Sequence, residues 1–294
     1  MNSLKETKEK INSIRTAKKI TSTMRMVSSA KLYVAQNQIE KFSPYQQLKN
    51  MMSNFLPSET DYTSPLSMKR DVVNAVAIVV ISSNSGLCGA FNSNIIKLLN
   101  QTIKDYSHIA QEKIYIYPIG EKVENAVKKA KRTIQGSFIH LIAKPKFNEV
   151  ENIADNLIAD FLNKKIDKVE LLYNQFKSTA SQISTREQFL PVPLIPQQST
   201  KTILTDYIIE PDKITIFEEL MRESLKIQLY AGVLNSAASE QAARTIAMHK
   251  ATENAKEFLS KLTIQYNTQR QQAITSELLD IVGGAEVLRK YAPI

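Results

Sequence analysis

Residues 3–43 contain neither Pro nor Gly and are rich in Lys, Glu, Gln, Ala, Ile and Met, which helices tolerate well. The pattern predicts one long helix, with Ser3 capping its first turn and Glu6 completing a capping box. Pro44 is expected to kink or interrupt it, because proline lacks an amide hydrogen and clashes with the preceding turn. At about 1.5 Å per residue this run is roughly 60 Å long. A second proline-free stretch covers Asp212 to Ala292, with Gly232, Gly283 and Gly284 as its only glycines. A helix over 212–282 would be about 105 Å long. A domain of about 150 residues has a radius of gyration near ~15 Å. The two ends therefore read as rods that outreach the body between them, and lone helices need a packing partner.

The seams of these rods are unusual. At heptad-like steps the C-terminal rod offers Ile227, Ala231, Leu234, Ala238, Gln241, Thr245, Met248, Thr252, Ala255, Leu259, Leu262 and Tyr266. A stripe of shifted phase follows, through Ile274, Leu278, Ile281, Ala285 and Leu288. The N-terminal rod offers Ile14, Ala17, Thr21, Met24, Ser28, Lys31, Ala35, Gln38 and Phe42. A helix dimer built for stability repeats Ile, Val and Leu at such positions. Small and polar seam residues bury little area, so the pair is expected to be weakly held and to need surrounding protein.

Between the rods the pattern alternates. DVVNAVAIVVISS is a strand whose continuous apolar run points to burial on both faces. SNSGLCGAFN is a loop, with Asn92 as the expected cap of a helix through Tyr106. KIYIYPIG is a second strand, 121–131 a helix, SFIHLIA a short strand and 148–163 another helix. DKVELLYNQF, STREQFLPVPLIP and TDYIIE are further strands, with Pro191, Pro193 and Pro196 marking an edge or linker. This alternation predicts an open, largely parallel sheet with helices on its faces. The expected divisions are 1–56, 57–211 and 212–294.

Charge changes the picture at one end. Residues 1–56 hold 10 Lys/Arg against 3 Asp/Glu, residues 57–211 hold 18 against 16, and residues 212–294 hold 10 against 10. The formal net charge of +9 therefore sits mainly in the first rod, suiting nucleic acid, an acidic lipid surface, an acidic protein sleeve, or simply a solvated face. The longest apolar run, Ala75 to Ile81, is far short of a membrane span, and the opening MNSLKETKEK has no signal-peptide core. A single cysteine, Cys88, allows no internal disulfide.

Catalytic signals are sparse. His108, His140 and His249 lack Cys or His neighbours at metal-ligand spacing. Neither a GxxxxGK[ST] nor a GxGxxG loop is present. SSNSGLCGAFN lies between a strand and a helix, where α/β proteins bind ligands, but it lacks successive glycines for a phosphate. No cation stands in the loop to activate Cys88, which reads as a buried apolar thiol. No cofactor or metal is expected.

Both ends then become specific. LKETKEKINSIRTAKKITSTMRMVSSAKL resembles the N-terminal helix of the F-type ATP synthase γ-subunit family, the central rotor stalk. LYAGVLNSAASEQAARTIAMHKATENAKEFLSKLTIQYNTQRQQAITSELLDIVGGAEVL resembles that family's C-terminal helix, and SGLCGAFNSN its glycine-cysteine loop. The resemblance implies an antiparallel coiled coil of the two terminal helices with a central Rossmann-like open-sheet domain. It implies a non-catalytic rotating shaft inside a ring of three α and three β subunits, with the ε subunit and the c-ring at its foot. Ion-driven rotation would drive ATP synthesis at the β subunits, with no nucleic acid and no small-molecule substrate bound here. The rival reading is a basic helical adaptor for nucleic acid, which the neutral but motif-rich C-terminal rod disfavours.

The resemblance also nominates residues. Met24 and Arg25 match positions facing the β subunits' acidic lever, Arg25 replacing the more usual Lys. Arg270 and Gln271 match an Arg-Gln pair that contacts the β catch loop. Gly86, Leu87, Cys88 and Gly89 form the foot-domain loop, where Asn84 and Ser85 replace the family's usual Asp and Arg. An uncharged contact is expected to stand in for any salt bridge of that pair. With the family motif starting at Leu4, a bacterial protein peripheral to the cytoplasmic side of the inner membrane is expected.

Overall fold

The computed structural model describes residues 4–55, 64–193 and 212–291. The chain divides into two compact units, one of Met1–Val27 with Ala247–Ile294 and the other of Ser28–Ile246. In chain order the elements are α1 (Leu4–Phe55), β1 (Val76–Ile81), α2 (Phe91–Asp105), a 3-10 turn (Gln111–Lys113) and β2 (Ile114–Ile119). These are followed by α3 (Glu121–Lys129), α4 (Ile139–Ala143), α5 (Phe147–Leu162), β3 (Lys168–Phe176), β4 (Gln182–Leu190) and α6 (Lys213–Tyr291). Long terminal helices thus flank an open mixed sheet, as the patterning predicted.

The sheet has the order β2-β1-β3-β4, with β1 parallel to both β2 and β3, and β4 antiparallel to β3. Every residue of β1 is fully buried, which is why its sequence shows no alternation. Its Ala77, Val79 and Ile81 face a core shared with α5 and α6, including Leu157, Phe161, Met221, Leu225 and Leu229. Its Val76, Ile78 and Val80 face a second core with α2 and α3, including Ile95, Leu99 and Val123. Arg70 ties the start of β1 to that of β3: it pairs with Asp167 and donates to the Ile166 and Phe161 carbonyls. At the end of β2, Gly120 takes φ 107°, and a Cβ there would lie 2.2 Å from the Ser82 carbonyl oxygen. Asp212 caps α6, its Oδ1 accepting from the Ile214 and Thr215 amides at 3.0 and 2.9 Å.

Several expectations need correction. SFIHLIA is not a strand: Ile139–Ala143 is helical. The free edge of β2 is already taken, since Ile116 donates to the Thr133 carbonyl and Gln135 donates to that of Ile116. That edge is therefore not open to SFIHLIA, and its helix buries Leu141 and Ile142 instead. Pro44 does not interrupt α1, since the loss of one intrahelical bond does not end a helix of 52 residues. Helix α6 continues through Gly283 and Gly284 rather than stopping at 282. Asn92 does not cap α2; Ala90 stands at that position, and the Asn92 side chain turns back to Ser83 and Cys88. Ser3, Pro196 and TDYIIE lie outside the described residues.

Candidate functional site

The loop after β1 occupies the point where the strand order reverses, the usual ligand crevice of an open α/β sheet. Here several polar groups of the loop are bonded to one another. Asn92 Oδ1 accepts from the Ser83 amide at 3.1 Å and Asn92 Nδ2 donates to Cys88 Sγ at 3.1 Å. Cys88 is buried as expected, but its neighbours are polar rather than apolar, with Ser83 Oγ also 3.8 Å away. Leu87 sits at φ 63° and is 63% exposed, so the loop holds an apolar side chain outward in a conformation that non-glycine residues rarely adopt. Gly89 at φ 59° supplies the turn that follows. Asn84 donates to the Ile139 carbonyl at 2.8 Å and accepts from the Glu121 amide at 3.0 Å. Ser85 Oγ accepts from Arg244 at 2.8 Å.

Arg244 is a residue that pattern reading missed. Its other terminal nitrogen donates to Glu240 at 2.7 Å, and both side chains are 9% exposed. Burial raises the Glu240 carboxyl above its ordinary range, while the Arg244 and Lys31 charges pull it down. A groove of about 640 Å³ opens beside the pair, where Lys31, Lys144 and Arg244 outnumber Glu240. The available signal was an oppositely charged pair one turn apart within an otherwise small and apolar helical stretch.

In the other unit the helix segments run antiparallel. Thr7 bonds Gln269 at 2.9 Å, Thr21 bonds Thr252 at 2.9 Å, and Arg25 bonds His249 Nδ1 at 3.1 Å. Because the guanidinium only donates, Nδ1 of His249 is the acceptor in this contact. The buried seam is Thr7, Ile11, Met248, Thr252 and Ala255, a mixture of small, polar and apolar side chains as predicted. On α1, Ile14, Thr21, Met24, Ser28, Ala35 and Phe42 turn inward as expected, and three positions do not. Ala17, Lys31 and Gln38 are exposed, and the inward positions next to them are Lys18, Leu32 and Ile39. The stripe at Ile274, Leu278 and Ile281 is exposed rather than packed, and residues 274–286 bury nothing among the described residues. Phe258 and Ile264 are likewise exposed on α6, as is Ile20 on α1. So much outward apolar surface on a helix pair with so little inward marks an interaction surface.

Comparison with known proteins decides the family. Residues 3–288 match the family described as ATP synthase. The ATP synthase gamma chain of Azobacteroides pseudotrichonymphae is 47% identical, over 98% of this chain and all (100%) of its own length. That of Phocaeicola vulgatus is 46% identical, over 97% and 99%. The chain belongs to the ATP synthase gamma chain family. Its fold is similar to that of a chain in the cryo-EM structure of Euglena gracilis mitochondrial ATP synthase (OSCP/F1/c-ring, rotational state 3). That match has a TM-score of 0.66 at 20% identity and covers 99% of this chain and 97% of the other.

Within the gamma-chain fold, the nominated residues fall in two places. Met24 and Arg25 are half-buried on α1, and Arg270 and Gln271 are exposed on α6. Arg270 forms no hydrogen bond or ion pair among the described residues, which leaves its guanidinium fork available. Gly86 to Gly89 belong to the sheet-bearing unit. Among the described residues no helix is long and apolar enough to cross a membrane, and no group of His, Cys, Asp or Glu is arranged to hold a metal.

Proposed function

We propose that this chain is the central rotating shaft of an F-type ATP synthase, coupling ion-driven rotation to catalysis at the β subunits. The observation that carries this reading is gamma-chain identity over essentially the whole length, joined to a helix pair that hides little of its own apolar surface. The shaft is not itself catalytic. A ring of α and β subunits would cover the outward apolar residues of the unit formed by Met1–Val27 and Ala247–Ile294, which water otherwise meets at about 25 cal/mol per Å². Met24, Arg25, Arg270 and Gln271 are the proposed contacts to the β subunits. The sheet-bearing unit, with the Gly86–Gly89 loop, is the proposed foot beside the ε subunit and c-ring. The complex would sit on the cytoplasmic face of a bacterial inner membrane, this chain being peripheral to it.

Arg270 suits a charge-assisted, bidentate contact to a carboxylate on the ring. Arg270→Ala is expected to lower coupled ATP synthesis in the assembled complex while leaving the unfolding midpoint of the isolated chain unchanged. Equal losses in both would remove that role. Co-expression with the α and β subunits is expected to yield one copy per ring and ATP-driven rotation of the chain. A folded monomer that joins no ring would refute the shaft reading.

A further inference from the structure

A shaft turned from one end must not slip where it joins the body that turns it. Apolar packing is non-directional and resists slip weakly, whereas a hydrogen bond fails steeply as it bends. Helix α6 joins the sheet through both kinds of contact. Phe217, Met221, Leu225, Leu229 and Val233, four residues apart, form an apolar row in the larger core. Just beyond that row the same helix turns polar, at Asn235, Ser236 and Ser239. Serine and asparagine are mediocre residues for a helix interior, and Ser236 and Ser239 are completely buried (0% exposed).

Their partner is the overhanging end of β3. Strand β1 pairs with β3 only as far as Leu172, so the next main-chain groups on that side have no strand beside them. Helix α6 takes them up. The Asn174 amide donates to Ser236 Oγ at 3.1 Å, and Ser239 Oγ donates to the Asn174 carbonyl at 3.0 Å. The Phe176 amide donates to Asn235 Oδ1 at 3.4 Å. The Phe176 ring packs against the small cluster of Leu32 and Ala35 from α1 with Ala238 and Ala242 from α6. The strand end is therefore bonded to one long helix and wedged against both.

We infer that the β3 overhang, Asn174 to Phe176, is the key that fixes α6 in rotation and height on the sheet, and that torque passes between sheet and shaft there. Asn235, Ser236 and Ser239 are positioning residues for coupling. This rests on the shaft reading and adds to it the place where the load is carried. Side chains bonded to main-chain groups suit this task because the main chain cannot swing away as a side-chain partner would.

The test uses the whole ATP synthase in sealed vesicles. In the combined variant Asn235→Ala, Ser236→Ala, Ser239→Ala, ATP hydrolysis is expected to persist while ATP-driven ion transport falls by about fivefold or more, a typical size for lost coupling. Val233→Ala, which opens the adjacent apolar row but spares the bonds, is expected to cost stability with no such split. If Val233→Ala uncouples transport to the same extent, or the combined variant stays coupled, the key is overturned. A second measurement does not depend on that variant folding. Asn174→Cys with Ser236→Cys, in a Cys88→Ser background, is expected to keep full coupled transport when oxidised to a disulfide, because helix and strand do not move past each other. Transport that stops on oxidation and returns on reduction would overturn the proposal. A wild-type complex that hydrolyses ATP without moving ions would remove the shaft reading and the key together; a coupled wild type beside a coupled combined variant removes the key alone.

Discussion

Replacing Arg244 by Met isolates the energetics of the buried pair on α6. Glu240 and Arg244 lie one turn apart with N–O 2.7 Å and 9% exposure on each side. Arg244 also donates to Ser85 Oγ at 2.8 Å and to the Gly86 carbonyl at 3.3 Å. Methionine keeps much of the apolar stem, so packing changes little, but Glu240 is left buried without its partner. Burial already pushes that carboxyl up, and with the guanidinium gone it is driven neutral. From its reference value of 4.5, protonating it at pH 7 costs at most roughly 3 kcal/mol. The lost loop bonds add about 1 kcal/mol each. The expected loss at pH 7 is thus about 4–5 kcal/mol, within the range of about 3–5 kcal/mol for a broken buried pair.

The pH dependence has a definite sign. A carboxyl whose folded pKa exceeds its unfolded value favours the folded state fully only below the unfolded value, and this advantage is lost as pH rises. The variant's deficit relative to the parent is therefore expected to shrink on acidification, by on the order of 1–2 kcal/mol between pH 7 and pH 5, since the parent's own raised carboxyl shares part of the dependence. Urea unfolding followed by tyrosine fluorescence measures it, with no Trp in the chain to interfere. A deficit below about 1 kcal/mol that is equal at both pH values would mean the pair behaves as a surface ion pair, and the reasoning fails. Adding Glu240→Gln to Arg244→Met is expected to abolish the pH-dependent part alone.

Glu170 gives the opposite sign: burial raises its carboxyl, but Arg186, Tyr106 and Lys168 outweigh burial and hold it below the ordinary value of 4.5. Its stabilisation is present above that value and lost as pH falls through the lower folded one, so Glu170→Gln is expected to flatten the acid limb of stability against pH in urea titrations. Gly232 and Gly283 separate packing from helix propensity. A Cβ at Gly232 meets Leu171 Cδ2 at 3.1 Å, whereas Gly283 has nothing within 4 Å. Gly232→Val is expected to destabilise by about 1–3 kcal/mol through overpacking. Gly283→Ala is expected to stabilise its own turn by about 1 kcal/mol, read as slower amide exchange there.

What could be read from sequence follows from what side-chain periodicity records, which is burial. The run VAIVVI announces a strand covered on both faces, and all six of its residues are buried. The proline-free ends announce long helices, and the Thr and Ala seam announces a pair that does not support itself. On α1 the phase was misjudged between Lys31 and Leu32 because a seam of small and polar groups barely distinguishes neighbouring positions. The other failures share a different cause. SFIHLIA was read as a strand because its composition suits one, yet the edge of β2 was already occupied by Thr133 and Gln135. Ser236 and Ser239 passed unnoticed because their partner is the main chain of a strand 62 and 65 residues earlier. In both cases the deciding quantity is which strand edge lacks a partner, and no residue's hydrophobicity encodes that. Two buried serines three apart in a helix were nevertheless a usable sign. A serine hydroxyl enclosed by apolar neighbours must bond something, and when the helix's own turn is not the only acceptor within reach, the remaining candidates are the unpaired main-chain groups of whatever packs against it.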